Sequence, residues 1–142
     1  MTELRNMDAL DLLANLTPGS VDAIITDPPY GTTNATWDKT PDWPAFFHAC
    51  WRVLKKNGVL LIFSQNPTAA QIITQQRRWF RYEWVWEKPN AVGVLNANRM
   101  PLRAHELVLM GFNPGADCGS YRWPGHSWEY EAKIYERTGV LL

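Results

Sequence analysis

Glycines one residue apart, metal-ligand cysteine patterns, long apolar runs and an excess of either charge are all missing from this sequence of 142 residues. Each absence removes a class of protein. Without a GxG anywhere, there is no paired-glycine turn of the kind that lets the backbone approach a phosphate or a polar cofactor closely. Cys50 and Cys118 have neither CxxC spacing nor a histidine pattern beside them, so a disulfide framework and a zinc site lack support. Both cysteines read as reduced, His48 with Cys50 finds no further ligands, and no metal is expected. No window approaches the ~18 uninterrupted apolar residues of a membrane span. The start "MTELRNMDAL" lacks the basic and then apolar layout of a signal peptide. A soluble, cytoplasmic protein with no membrane partner is the expectation. Formal charge is zero, which excludes a protein that grips nucleic acid by bulk electrostatics alone. There is no internal repeat or low-complexity tract.

What is present suits one ordinary domain with a real core: 46% of residues are hydrophobic against 20% charged. Eight tryptophans are many for this length, and rings so large stabilise chiefly by burial. Charge is unevenly spread. Between Arg77 and His105 stand six basic residues (Arg77, Arg78, Arg81, Lys88, Arg99, Arg103) and two acids (Glu83, Glu87), a local +4. Such a bias marks a solvated surface or a phosphate-contacting region.

Along the chain, "DALDLLANL" carries Ala9, Leu12, Leu13 and Leu16 at helical spacing with Asp8 placed to cap its first turn. "TPGS" breaks this helix, and "VDAIIT" has the β-branched density of a buried strand. "PDWPAFFHACWRVLKKNG" puts Trp43, Phe46, Phe47, Cys50, Trp51 and Leu54 on one face, with two lysines in the last turn and Asn-Gly to stop it. "GVLLIFS" reads as a strand covered on both faces. Asn66 can cap, and Pro67 open, a helix through about Phe80. "RYEWVWEK" alternates like a strand, its Trp84 and Trp86 turned to one sheet face as core rings, and "ELVLMGF" is another strand. The order helix, strand, helix, strand, helix, strand, long loop, strand predicts an α/β sheet, parallel at least in its first three strands. Residues 114–142 read as an irregular segment with a weak terminal helix.

"IITDPPYG" (Ile24 to Gly31) is the most informative stretch. Ligands of an open parallel sheet bind beyond the carboxyl ends of the strands, where this segment falls. Proline fixes φ and donates no N–H, so Pro28 and Pro29 make a stiff segment rich in acceptors. Asp27 adds a carboxylate and Tyr30 an aromatic face. A carboxylate and a carbonyl accepting one N–H each would hold an exocyclic amino group of a nucleobase and favour its pyramidal, nucleophilic form. A base must leave the duplex to reach such a pocket. The plainer reading is a turn followed by a core ring.

"SVDAIITDPPYG", the following Trp37-Asp38, "GVLLIFS", and "WEKPN" leading into "NRMPLRAHELVLMG" together resemble the DNA amino-methyltransferases, block by block and in that family's order. The resemblance covers roughly residues 5 to 112. It implies a partial Rossmann-like methyltransferase sheet, mostly parallel, with helices on both faces, in residues 1–113. It also implies S-adenosylmethionine as cofactor and DNA as partner, in the setting of restriction-modification. By motif match, Asp27 and Pro28 would bind the target amino group, with Pro29 between them and Tyr30, which would stack on the flipped base. Asp8 and Asp27 would contact the cofactor, although Asp8 is equally a plain helix cap. Lys88, Arg99, Arg103 and His105 would meet DNA, His105 being as readily a structural or surface residue.

The family's glycine-rich cofactor loop, which resemblance places after the region of Met110, is absent. Two functions follow: a DNA methyltransferase, adenine N6 before cytosine N4, or a non-catalytic methyltransferase-like half that binds nucleic acid or a partner. Methylation of RNA or of a protein glutamine is a distant third, because the related motif there begins with asparagine. A sheet lacking strands would leave an edge and an apolar face exposed, which favours a second chain or a homo-oligomer. Alone, the chain is expected to bind S-adenosylmethionine weakly or not at all, since Asp8 and Asp27 replace only part of such a ligand's water. Calorimetric titration yielding micromolar affinity, lost on Asp8→Ala, would overturn this.

Overall fold

Asp8 sets the first element: its carboxylate accepts the Leu10 N–H at 2.8 Å and caps α1 (Ala9–Asn15). The computed structural model describes residues 3–113. After α1 come β1 (Val21–Thr26), α2 (Trp43–Val53), β2 (Leu54–Ser64), α3 (Thr68–Gln75), β3 (Phe80–Val92), a 3-10 turn (Val94–Asn96) and β4 (Arg103–Phe112). This is the expected order of elements. The expectations for residues 114–142 and for Cys118 lie outside the described residues.

α2 forms where apolar spacing predicts it. Asp42 accepts the Ala45 N–H at 3.1 Å, Pro44 lies in the first turn, and Trp43, Phe46, Phe47, Cys50 and Val53 make the buried face. Two boundaries differ from expectation. The helix ends at Val53, and Lys55 to Gly58 bulge from the sheet edge instead of forming a last helical turn. Val21 pairs with Leu54 while Ala23 already pairs with Val59. Buried Leu54 and the Lys55–Asp22 ion pair (2.6 Å) hold the extended path. α3 ends at Gln75 and not near Phe80. The following turn lowers Trp79 into the core, and the N-cap is Pro67, without a side-chain cap from Asn66.

The strand order is β1-β2-β4-β3. β1, β2 and β3 run in one direction, as expected, but β4 lies between β2 and β3 and is antiparallel to both. A mostly parallel sheet is therefore corrected to a mixed one, with two of its three pairings antiparallel. The reason is the connection from β3 to β4, which returns the chain directly and forces the last strand to reverse.

Helices on both faces are corrected too. Leu60 and Ile62 of β2 and Leu109 of β4 share one core with Leu13 of α1, the aromatic face of α2, and Ala69 and Ile72 of α3. Two right-handed crossovers that progress in the same direction across a sheet put their helices on the same side. The other face carries no helix among the described residues. It bears Leu61, Phe63, Val108 and Met110 at its centre, with Tyr82, Trp84 and Trp86 along β3. Trp84 and Trp86 are therefore 41% and 49% exposed, not core rings, and Trp86 meets Phe63 edge-on at 5.5 Å. Among the described residues, the fully buried tryptophan is Trp79.

Trp79 also explains one glycine. A Cβ on Gly111 would lie 2.2 Å from the Trp79 carbonyl oxygen and 2.5 Å from its indole nitrogen. Gly111→Ala is expected to destabilise the fold by about 3 kcal/mol, as overpacking against backbone does. Urea denaturation of the two proteins measures it.

Candidate functional site

The parallel pairing of β1 with β2 sets Thr26 against Ile62, so both chains leave the sheet at the same end. Asp27 follows β1 directly, and Gln65 follows β2. With Pro28, Pro29, Tyr30, Thr32, Thr33, Trp37 and Asp38 they line a cavity of about 480 Å³. The four residues of the Asp-Pro-Pro-Tyr motif therefore share one cavity, Pro28 buried and Asp27 exposed.

Tyr30 is turned onto its own motif: its hydroxyl donates to Asp27 Oδ1 at 2.6 Å. Burial, then the bond to Asp27, then the charges of Asp27 and Glu106 hold the phenol well above its ordinary pKa. It stays a neutral donor, and one carboxylate oxygen of Asp27 is engaged by it.

Asp38 fixes the loop that carries Tyr30. It is buried, and its two oxygens accept the Gly31 N–H at 2.8 Å and the Thr33 N–H at 2.6 Å. The Thr33 side chain, then the backbone N–H groups of Gly31, Thr33 and Thr32, hold its carboxyl below the usual range against the opposing effect of burial. Gly31 turns with φ +67°, a left-handed conformation that favours glycine. Two further bonds clamp the loop from the end of β2 and the start of α3. Thr68 Oγ1 donates to the Tyr30 carbonyl at 3.0 Å, and Gln65 Nε2 donates to Thr32 Oγ1 at 3.2 Å.

The basic stretch splits in space. Arg77, Arg78 and Arg81 lie where α3 passes into β3, at the opposite end of the sheet from the cavity, whereas Arg103 and His105 open β4 at the cavity end. Lys88 is spent on an ion pair with Glu106 and lies 5.7 Å from the Trp86 ring centroid. Arg99 stands exposed in the connection between β3 and β4. Asp8 caps α1 and does not line the cavity. No cluster of metal ligands occurs among the described residues. None of their helices is long and apolar enough to cross a membrane.

Sequence reasoning named Asp38 only as part of Trp37-Asp38 and missed Gln65, Thr68 and Glu106. A Gln and a Thr immediately after a buried strand that ends at the same level as Asp27 were the available signal.

The sequence model of a family described as DNA methylase (N6_N4_Mtase) matches residues 21–137. The chain belongs to this family. Among solved structures, this chain resembles M1.HpyAVI in complex with SAM at TM-score 0.56 and 22% identity over 84% of this chain. It resembles the cytosine-N4-specific PvuII DNA methyltransferase at TM-score 0.59 and 15% identity over 78%. A protein of Thermus thermophilus described as a DNA modification methylase, also complexed with S-adenosyl-L-methionine, gives TM-score 0.52 and 23% identity over 89%. At these identities the likeness is one of fold. The matches span 58%, 48% and 59% of those chains, so this chain spans about half their length.

Because the Asp38 carboxyl is depressed in the fold, its hold on the loop is fully present above the ordinary aspartate pKa of about 3.9 and fades as pH falls through the lower folded value. Amide exchange of Gly31 and Thr33 should accelerate relative to the core amides across that acid window. In Asp38→Asn the two amides should exchange about tenfold faster at neutral pH, with no acid-dependent step, since an amide offers these donors one oxygen in place of two.

Proposed function

We propose that this chain carries the target-amine half of an S-adenosylmethionine-dependent DNA amino-methyltransferase, with adenine N6 as acceptor before cytosine N4. The observation that supports it is the Asp27 carboxylate at a strand's carboxyl end, beside a tyrosine ring in a cavity of about 480 Å³, in a member of the DNA methylase family. The Asp-Pro-Pro-Tyr spelling favours adenine.

In this reading a base leaves the duplex and its amino group enters against Asp27. Asp27 accepts one N–H and the Pro28 carbonyl the other, which draws the nitrogen lone pair out of conjugation and aims it away from both acceptors. Tyr30 gives up its bond to Asp27 as the amino group takes that oxygen, and its ring stacks on the base. Asp38, Gln65 and Thr68 hold the loop meanwhile. When bound, S-adenosylmethionine supplies the electrophilic methyl group. The surplus proton of the methylated nitrogen lies on the side of Asp27, which is exposed and can pass it to water.

The described residues fit that cofactor in part. Asp27 and the faces of Tyr30 and Trp37 suit a cationic group, and Asp27 in the cavity, with Asp8 outside it at the cap of α1, are its proposed polar contacts. No glycine turn with a free N–H lines the cavity, since the Gly31 N–H is already given to Asp38. A second chain, or a second copy, completing the sheet is part of the proposal. Ile25, Trp84 and Trp86, exposed on the face opposite the helices, support it. Lys88, Arg99, Arg103 and His105 are the proposed DNA contacts, His105 at base edges or phosphate.

In the assembly competent for methyl transfer, Asp27→Ala should remove the reaction and leave DNA affinity nearly intact, because duplex affinity rests on phosphate contacts made elsewhere. Filter binding and tritiated methyl transfer on the same preparations test the two halves. Transfer at the normal rate by Asp27→Ala would exclude the role. Tyr30→Phe separates the two functions of the tyrosine: the ring remains and the competitor for Asp27 is gone. Affinity for an oligonucleotide with an unpaired target adenine should rise severalfold in Tyr30→Phe. In Tyr30→Ala it should fall, by about 1 to 3 kcal/mol of lost stacking.

A further inference from the structure

A second cavity, of about 240 Å³, opens beside the first and is lined by Gln65, Asn66, Arg103, His105, Glu106 and Leu107. Gln65 is common to both walls. Its side chain is a bridge: the amide nitrogen donates to Thr32 Oγ1 on the Asp27 side, and the amide oxygen accepts from Arg103 Nη1 on the other.

The charges of this second cavity do not cancel. Glu106 is neutralised by Lys88 in a partly buried pair, so it makes no claim on Arg103. Arg103 has no carboxylate partner among the described residues and rests on a neutral amide oxygen. A guanidinium so placed keeps its charge and most of its planar fork of donors for an anion. Asn66 and His105 add polar groups on the same wall. The volume admits a tetrahedral oxyanion with room for its ester oxygens, and the apolar lining is limited to Leu107.

We propose that this cavity is a phosphate site, and that it takes the backbone phosphate adjoining the nucleotide whose base sits over Asp27. The inference rests on the base-binding reading of the first cavity. Arg103 is the principal ligand and exchanges the Gln65 oxygen for phosphate oxygens. Charge-assisted Arg–phosphate bonds are stronger than an arginine bond to a neutral amide and are made in pairs. The exchange is a change of hydrogen-bond partner alone and forms no covalent bond. It would leave the Gln65 side chain held only by Thr32, free to turn its amide oxygen toward the base cavity.

The full chain can be titrated with 2′-deoxyadenosine, its 5′- and 3′-monophosphates and 2-deoxyribose 5-phosphate, followed by heteronuclear shift changes that detect millimolar binding. One of the two nucleotides should bind roughly tenfold more tightly than the nucleoside, and which one identifies the phosphate concerned. Arg103→Gln should abolish that difference and leave nucleoside affinity unchanged, and Arg103→Lys should restore part of it. Nucleotides that bind no better than the nucleoside, or a difference that survives Arg103→Gln, would overturn the site, as would no binding of any probe. Arg103-dependent binding of 2-deoxyribose 5-phosphate, with a nucleoside whose binding is absent or insensitive to Asp27→Ala, would keep the phosphate site and refute the base pocket.

Discussion

The parallel pairing of β1 with β2 is the constraint from which the site follows. Parallel neighbours need a crossover, and α2 supplies it, packing Trp43, Phe46 and Phe47 over Leu60 and Ile62. Parallel strands also finish together. Thr26 and Ile62 stand side by side, so the acid after one strand and the glutamine after the other enter the same cavity, and the first turn of α3 reaches back to hold the Tyr30 carbonyl through Thr68. An antiparallel pair would have put Asp27 and Gln65 at opposite ends of the sheet.

Holding the loop and leaving it usable are separate tasks here. Asp38 is buried and committed to two backbone N–H groups, which makes it a positioning residue in this fold. Asp27 is exposed and bonded to a tyrosine three residues away, an interaction that can be exchanged without disturbing the backbone. The two acids of one loop are thus set apart by burial and by the kind of donor each faces: backbone N–H groups for Asp38, a side-chain hydroxyl for Asp27.

What the sequence disclosed was mostly local. The periodicity of Trp43 to Val53 and the β-branched run Val21 to Thr26 each specify their own conformation, and the structure has the helix and the strand where expected, but β1 is a partly exposed strand at the end of the strand order and not the buried strand expected. Neighbour order is not a local property. The insertion of β4 between β2 and β3, the placement of α1, α2 and α3 on one face and the exposure of Trp84 and Trp86 depend on which strands meet, and alternation along β3 cannot report it. The basic stretch misled for a related reason. A strand thirteen residues long carries charges counted together in sequence to opposite ends of the sheet. Asp38 was visible as a residue but not as a clamp, because its partners are backbone groups that no side-chain pattern encodes.

The core shared by α1, α2, α3 and one face of the sheet draws on residues from Leu13 to Leu109, with Val21 and Ile24 of β1 packed against it. Among the described residues, β1 has a strand on one side only. A strand of that kind offers backbone N–H and C=O groups as a template, so further polypeptide can lengthen the sheet there without opening the core.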